Sequence, residues 1–437
     1  MLPLTIFEKY MLLDDSLAYP MDSFRFLRFS GKLDIDLFEL SILSVIRFHP
    51  LLSSVIRYDS RLGYVWENFD NPVFIRRVNL PDLSCIPTPE RIDIFNEAGF
   101  KVYIFDGGEV GSSALFQFHH TVSDGLGEMN LLADILTDYD ARINGKTPQE
   151  NPRNVDLSLL KFRGSSGLTL GKYFRYFIDT AFTTNQLLFR NPSPLLPCAK
   201  CKLDEPDVEY YRSISRELLL QETVDYFSFA KLRKVTVNDL LIRDLFLSMN
   251  NCRKLWGNSD GGWLRVSMPM SLRTELHERM PASNNVTMVF LDRRGRSCSD
   301  TTTLLRGINR ETNWIKQAEQ KHVLLLSLNI CNLLPGGIGR MLRMRECRAT
   351  AVLSNLGRVF ELLPVLRRSD GRLIIGKTVL EDVEASPPIR YGTLISASVL
   401  TYAGRLRLIL RYDAKNMTQN QADQLLQSYI NNIISVR

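Results

Sequence analysis

The chain has 437 residues, 45% of them hydrophobic and 23% charged, with a formal net charge of +6 at pH 7. That length accommodates two domains, and the balance of apolar and charged residues excludes disordered and fibrous classes. The mild basic excess suits an anionic ligand, whereas the lack of a Lys/Arg block interleaved with stacking aromatics excludes a nucleic-acid partner.

The first residues, MLPLTIFEKYMLLDD, have no basic lead and no sustained apolar run, so no secretory signal is expected. After a first strand and turn, SFRFLRFSGKLD reads as a strand that sets Phe24 and Phe26 against Arg25 and Arg28 and ends at Gly31. A helix follows from Ile35 to about Phe48. His49, before Pro50 at its end, is expected to cap helix carbonyls. The seven cysteines are scattered, an inventory expected of a reduced, cytoplasmic protein. The one close pair, Cys198 and Cys201 in CAKC, lacks two further ligands at suitable spacing, so no metal site is expected.

The most informative stretch is FQFHHTVSDGLGEMNLL, Phe116 to Leu132. Ser113 to His120 reads as a strand, whose period-two geometry turns His119 and His120 to opposite faces. From Gly125 the apolar residues Leu132, Ile135, Leu136 and Tyr139 recur at helical spacing, so Thr121 to Gly125 is a tight strand-to-helix turn. His120, at the strand end, can be held with one ring nitrogen facing a cavity, as a general base requires. Asp124, beyond the turn, is placed to lock it through a charge-assisted hydrogen bond.

Asn144 to Gly167 is polar and loose. The aromatic and basic run that follows, with Lys172 and Arg175, reads as a helix crossing between domains. HVLLLSLNICNLLPGG is too short and too polar to span a bilayer and remains a surface that could touch lipid. The second half supplies a strand in VEYYRSISREL, a helix in VTVNDLLIRDLFLSM, and strands in WLRVSMPMSLR, ASNNVTMVFL and RATAVLSNLGRV. GRLRLILRYD then alternates Leu406, Leu408, Leu410 and Tyr412 against Arg405, Arg407 and Arg411, and a helix from Thr418 closes the chain. Two arginine clusters are candidates for meeting phosphates: Arg340, Arg343, Arg345 and Arg348 on a predicted helix, and the Arg405, Arg407, Arg411 face. GRLIIGKT, Gly371 to Thr378, matches the letters of a P-loop, but its middle is strand-like and prolines follow closely, so a phosphate loop is excluded. No G-x-S-x-G elbow supports a serine hydrolase.

His119-His120-x-x-x-Asp124-Gly125 resembles the HHxxxDG signature of the thioester-dependent acyltransferase superfamily, which includes chloramphenicol acetyltransferase, condensation domains of nonribosomal peptide synthetases and bacterial alcohol acyltransferases. Weaker resemblances accompany it along nearly the whole chain, in Arg47 to Leu52, in TVNDLL, in the strand ending at Arg273, at the Asn-Asn before the following strand, and in Ser354-Asn355-Leu356-Gly357. The resemblance implies an α/β fold of two chloramphenicol acetyltransferase-like domains, mixed sheets flanked by helices, with an active-site tunnel between them. The expected domains are residues 1–175 and 207–437, with a linker at 176–206.

The same resemblance implies a catalytic set of His120, Asp124, Gly125 and His119, with Arg273 as the partner of Asp124. It offers Asn285, Ser354, Asn355 and Gly357 as oxyanion or substrate contacts, and Arg340, Arg343, Arg405 and Arg407 as contacts for coenzyme A. No cofactor is expected to be tightly bound; acyl-CoA, or a phosphopantetheine thioester, would be a co-substrate. The acceptor would be a small molecule or lipid with a hydroxyl or amine. Two other readings stand beside this one: a condensation-type unit forming amides from the thioesters of a carrier protein acting in trans, and a silent scaffold of the same fold. Peripheral membrane contact is left open.

Overall fold

The computed structural model describes residues 2–68, 73–83, 86–164, 190–198, 205, 210–258, 262–343 and 346–436. The predicted interdomain helix with Lys172 and Arg175, and Cys85, Cys201 and Arg345, lie outside these residues.

The strands, in chain order, are β1 (Leu2–Pro3), β2 (Asp22–Ser30), β3 (Ser54–Asp59), β4 (Gly63–Asn68), β5 (Phe74–Asn79), β6 (Phe100–Asp106), β7 (Ser112–His119), β8 (Ser213–Glu217), β9 (Trp263–Ser271), β10 (Val286–Arg294), β11 (Ala351–Arg358), β12 (Ile374–Ile375), β13 (Thr378–Ser386), β14 (Ile395–Tyr402) and β15 (Arg405–Tyr412). The α-helices are α1 (Ile6–Asp14), α2 (Ile35–Ile46), α3 (Gly125–Ile143), α4 (Leu220–Leu232), α5 (Val237–Leu255), α6 (Thr301–Gln317), α7 (Val323–Leu333), α8 (Gly337–Arg343) and α9 (Gln419–Ile434).

Two mixed six-stranded sheets carry the molecule, in the orders β12-β13-β2-β7-β6-β5 and β10-β9-β11-β14-β15-β8. In the first, only β5 and β6 run parallel; in the second, β11 runs parallel to both β9 and β14. β7 lies between β2 and β6 and is buried along its full length, which is why it reads as a near-continuous apolar run. Helices α2 and α3 cover this sheet, with Phe38, Ile42, Leu132, Ile135 and Leu136 in its core. α5 and α9 cover the other, with Leu241, Phe246, Leu425 and Tyr429 in a second core. β12 and β13 come from the second half of the chain yet complete the sheet otherwise built by β2, β5, β6 and β7.

Several sequence expectations change at this level. The segment before β2, read as a strand and turn, is the two-residue strand β1 followed by a helix over residues 6–14. Thr5 and Glu8 make a reciprocal cap, the Glu8 N–H donating to Thr5 Oγ1 at 3.2 Å and the Thr5 N–H to Glu8 Oε2 at 2.8 Å. The motif strand begins at Ser112 and ends at His119, one residue before His120. Arg348 lies outside α8, so the four-arginine helix is not formed. Residues 371–378 form β12, a turn with Gly376 at φ 57°, and the start of β13; the hairpin has no helix, as the rejection of a P-loop requires.

Candidate active site

The site is assembled from the turn between β7 and α3 and from two loops of the second half. Asp124 is the N-cap of α3: its Oδ1 accepts the Gly127 N–H at 2.9 Å. Its Oδ2 accepts Arg273 Nη1–H at 2.7 Å and the Asn285 N–H at 2.7 Å. Arg273 follows β9 and Asn285 precedes β10, so one carboxylate ties the motif turn to the far half of the molecule. Burial alone would push the Asp124 carboxyl up. The charge of Arg273 and the three hydrogen bonds outweigh burial and hold it below the ordinary carboxylate value.

Asn284 adds a second tie, its Nδ2 donating to the carbonyls of His120 at 2.8 Å and Thr121 at 2.7 Å. These contacts need close backbone approach. A Cβ at Gly127 would lie 2.4 Å from Ser123 Oγ and 3.3 Å from the Ser283 N, and one at Gly125 would lie 2.9 Å from Leu356 Cδ2 and 3.2 Å from Arg25 Nη2. Both glycines are therefore fixed by close packing around the first turn of α3, from the motif turn and β2 as well as from the second half.

His120 is partly exposed. Its Nδ1 is 2.9 Å from the Ser123 carbonyl. A carbonyl only accepts, so Nδ1 carries the proton and Nε2 keeps its lone pair. Burial lowers the His120 pKa, assisted by the positive charge of Arg25, against the raising influence of the Ser123 carbonyl and Asp124. The imidazole is thus neutral at pH 7, with its basic nitrogen fixed by the tautomer.

His119 is fully buried on the opposite face. Its Nδ1 accepts the Thr121 N–H at 3.3 Å and its Nε2 is 3.8 Å from Asp15 Oδ1. Those contacts make it a support of the turn, which corrects its grouping with the reacting residues. His49 likewise does not cap helix carbonyls. Its Nδ1 accepts the Ala282 N–H at 2.8 Å, and burial, then Arg153, lowers its pKa to about 3, so it stays neutral as a hydrogen-bond acceptor between the two halves.

The oxyanion candidates separate. Asn285 is a correction: its Oδ1 accepts the Gly164 N–H at 3.0 Å, its Nδ2 is engaged by Ser283 Oγ at 3.1 Å, and its N–H belongs to Asp124, so no donor is left for a substrate. Asn355 is exposed and turned back on its own strand, where its Oδ1 accepts the Gly357 N–H at 2.9 Å. Ser354 shares a face of β11 with Val352 and Leu356, and Leu356 lies against Gly125.

The arginines expected to meet coenzyme A also separate. Arg407 is mostly buried and reaches Asp382 at 2.8 Å, Glu217 at 3.2 Å and Glu384 at 3.3 Å. Arg405 donates to the Asp370 and Ala403 carbonyls, and the buried Arg411 to those of Asp22, Pro387 and Tyr210. This face is a structural seam between β15 and β13, and its assignment to phosphate binding is withdrawn. Arg340 and Arg343 are exposed on α8, which packs on α1 and α7.

Sequence reasoning missed the pair behind the motif. Arg25 of β2 lies 2.6 Å from Glu128 of α3, and Ser23 Oγ donates to Glu128 Oε1 at 2.9 Å. Both charged side chains are buried. Burial pushes the Glu128 carboxyl up to about 7 although Arg25 and Ser23 favour its ionised form. The available signal was a glutamate on the inward face of α3, at helical spacing from Leu131, Leu132 and Ile135, where a buried partner is required.

No family model and no curated protein matches this chain. Solved structures do match over nearly the whole length. Trichothecene 15-O-acetyltransferase from Fusarium sporotrichioides aligns with a TM-score of 0.69 at 12% identity, covering 99% of this chain and 94% of that one. The starter condensation domain of rhizomide synthetase, determined with C8-CoA and Leu-SNAC, aligns with a TM-score of 0.69 at 13% identity, covering 100% and 94%. The epimerization domain from the third module of tyrocidine synthetase B aligns with a TM-score of 0.67 at 13% identity, covering 100% and 95%. The expectation of a two-lobed α/β architecture is met: this chain has the fold shared by this acetyltransferase and these condensation and epimerization domains.

Proposed function

We propose that this protein is an acyltransferase that moves an acyl group from a thioester to a hydroxyl or amine acceptor, with His120 as the base. The observation that carries the reading is the Ser123 carbonyl at 2.9 Å from His120 Nδ1, which fixes a neutral imidazole with its Nε2 lone pair free. Nε2 takes the acceptor proton as the acceptor oxygen or nitrogen attacks the thioester carbonyl. The tetrahedral intermediate then collapses, the carbon–sulfur bond breaks, and the departing thiolate takes the proton from Nε2. Ester or amide and free thiol are the products, and the histidine is returned to its starting state.

The developing oxyanion needs donors that are already oriented. The first N–H groups of α3, at Gly125 and Leu126, have no intrahelical partner, and the helix dipole favours negative charge there. Ser354 is the candidate donor from the second half. Asp124 does not touch substrate in this scheme; with Arg273 it keeps the turn in place. Acyl-CoA is the favoured donor, supported by the C8-CoA held by the rhizomide synthetase domain and by the acetyltransferase of the same fold. A second reading, amide formation from carrier-bound thioesters, draws support from the condensation domains of this fold.

The test is intact-mass screening of products from mixed acyl-CoA donors with small alcohols, amines and lipid alcohols. An acylated product is expected with the wild type, and His120→Ala should slow its formation by about 10²–10⁴-fold with an unchanged melting temperature. Because the His120 pKa is lowered, the rate should hold its plateau below pH 6.5 before falling in acid. Equal rates for wild type and His120→Ala would remove the histidine from the reaction.

A further inference from the structure

We propose that the corner between α7 and α8 docks on an anionic lipid bilayer. Among the described residues no single helix is long and apolar enough to cross a membrane, but the segments Gln320–Leu333 and Gly337–Arg343 meet at a bend of 109°. The inner side of this bend is already used. Leu325, Leu328 and Ile338 are buried with Phe7, Tyr10 and Met11 of α1, so the pair is anchored to the protein and does not span.

The outer side is not used. Ile330 is 51% exposed, Leu333 82% and Leu334 63%, side by side at the tip and followed by exposed Pro335 and Gly336. Three large aliphatic side chains in contiguous exposure are a patch of the kind that marks an interaction surface.

Charge identifies the occupant. From Gln320 to Arg343 the sequence has no Asp or Glu, while Lys321, Arg340 and Arg343 are basic. Arg340 and Arg343 are exposed on α8, and Lys9 of α1 adds its ammonium at the corner, 2.6 Å from Asn332 Oδ1. Of the neighbouring acids, Glu319 pairs with His322 and Asp14 with Arg390, and Glu346 is exposed beyond the end of α8. An apolar tip rimmed by more cations than acids matches the headgroup boundary of a bilayer that contains acidic lipid, where leucines enter the acyl edge and arginines meet phosphate. α8 packs on α1, and Asp15, just past the end of α1, lies 3.8 Å from His119, so docking would bring the motif's side of the molecule near the lipid surface.

The test is co-sedimentation of the full chain with phosphatidylcholine vesicles, with and without phosphatidylserine, at low and high salt. The wild type should pellet with the serine-containing vesicles and be released by salt. Leu333→Glu with Leu334→Glu, and separately Arg340→Glu with Arg343→Glu, should each weaken binding about tenfold or more while the melting temperature is kept, since all four side chains are solvent-facing. No binding to either vesicle overturns the proposal. So does equal binding to both, or binding that the four substitutions leave unchanged. Self-association of the wild type that Leu333→Glu abolishes would assign the patch to a second copy. A rise in the KM for acyl-CoA in Arg340→Glu/Arg343→Glu without loss of vesicle binding would assign the arginines to the donor instead.

Discussion

Two arginine–carboxylate seams of this molecule, one between its halves at the motif turn and one between its two six-stranded sheets, are built in opposite proportions. At the motif turn a single carboxylate, Asp124, takes one arginine and two backbone N–H groups, so its acceptor positions are filled and it stays ionised. Between β13 and β15 Arg407 faces Asp382, Glu384 and Glu217, with Arg372 sharing Glu217 and Arg28 of β2 opposite Asp382. There burial, with Glu384 and Glu217 adding repulsion against the pull of Arg407 and Arg28, pushes Asp382 up to about 6. The lesson is that a buried ion pair between packed elements does not have a fixed sign. Where donors outnumber carboxylates the ionised acid stabilises the fold; where carboxylates outnumber donors, ionising the last of them costs stability.

The largest expected effect breaks the first seam. Asp124→Asn keeps the shape but leaves Arg273 without its counter-charge and weakens the N-cap of α3. A loss of about 3 kcal/mol is expected, somewhat below a fully buried pair because Arg273 retains 18% exposure. Activity should fall with it, since the turn that holds His120 loosens. The sign with pH follows from the lowered pKa: the stabilisation by Asp124 is present above the unfolded value near 3.8 and is lost as pH falls through the folded value. The gap between wild type and Asp124→Asn should therefore close in acid. Chemical denaturation of Asp124→Asn, Arg273→Met and the double variant checks the partner, and additive losses would show that the two side chains do not act together.

A smaller change tests how closely the second half approaches the turn. In Gly125→Ala the new Cβ would meet Leu356 Cδ2 and Arg25 Nη2, both ends of flexible side chains, so a stability loss of only about 1 kcal/mol is expected. Turnover should suffer more than stability, because the displaced groups lie at the first turn of α3, beside His120. A drop in kcat with a nearly unchanged melting curve would bear this out. Equal turnover would mean that the reacting atoms do not pass this face.

The contrast between the seams also explains what the sequence disclosed. The strand-to-helix turn before Gly125 follows from local periodicity, and the structure shows it. The α9 start at Thr418 follows from its cap with Gln421. The second seam was illegible because it depends on β13 leaving the second half to pair with β2, a long-range backbone pairing with no mark in local pattern. Without that strand, Arg405, Arg407 and Arg411 read as a solvated or ligand-facing stripe; with it, they become a buried junction. The Arg25–Glu128 pair escaped for a related reason. Each residue looks like an ordinary charge in its own element, and only the packing of α3 over β2 makes them partners.

The subtlest effect belongs to the second seam. Asp382 has a folded pKa raised to about 6 from an ordinary 3.8, so the stability linked to its protonated form is full below the unfolded value and is lost as pH rises through about 6. Asp382→Asn imitates the protonated form. Relative to wild type it should have its least favourable effect near pH 4, where the native carboxyl is already neutral, and become more favourable towards pH 8, by about 1–2 kcal/mol across that window. The full shift is not expected, because Glu384 and Glu217 face the same arginine and part of the proton uptake will move to them. Thermal melts of both proteins at several pH values measure the difference directly. A gap that instead favours the wild type as pH rises would mean that Arg407 satisfies Asp382 as completely as Arg273 satisfies Asp124, and the two seams would then be alike.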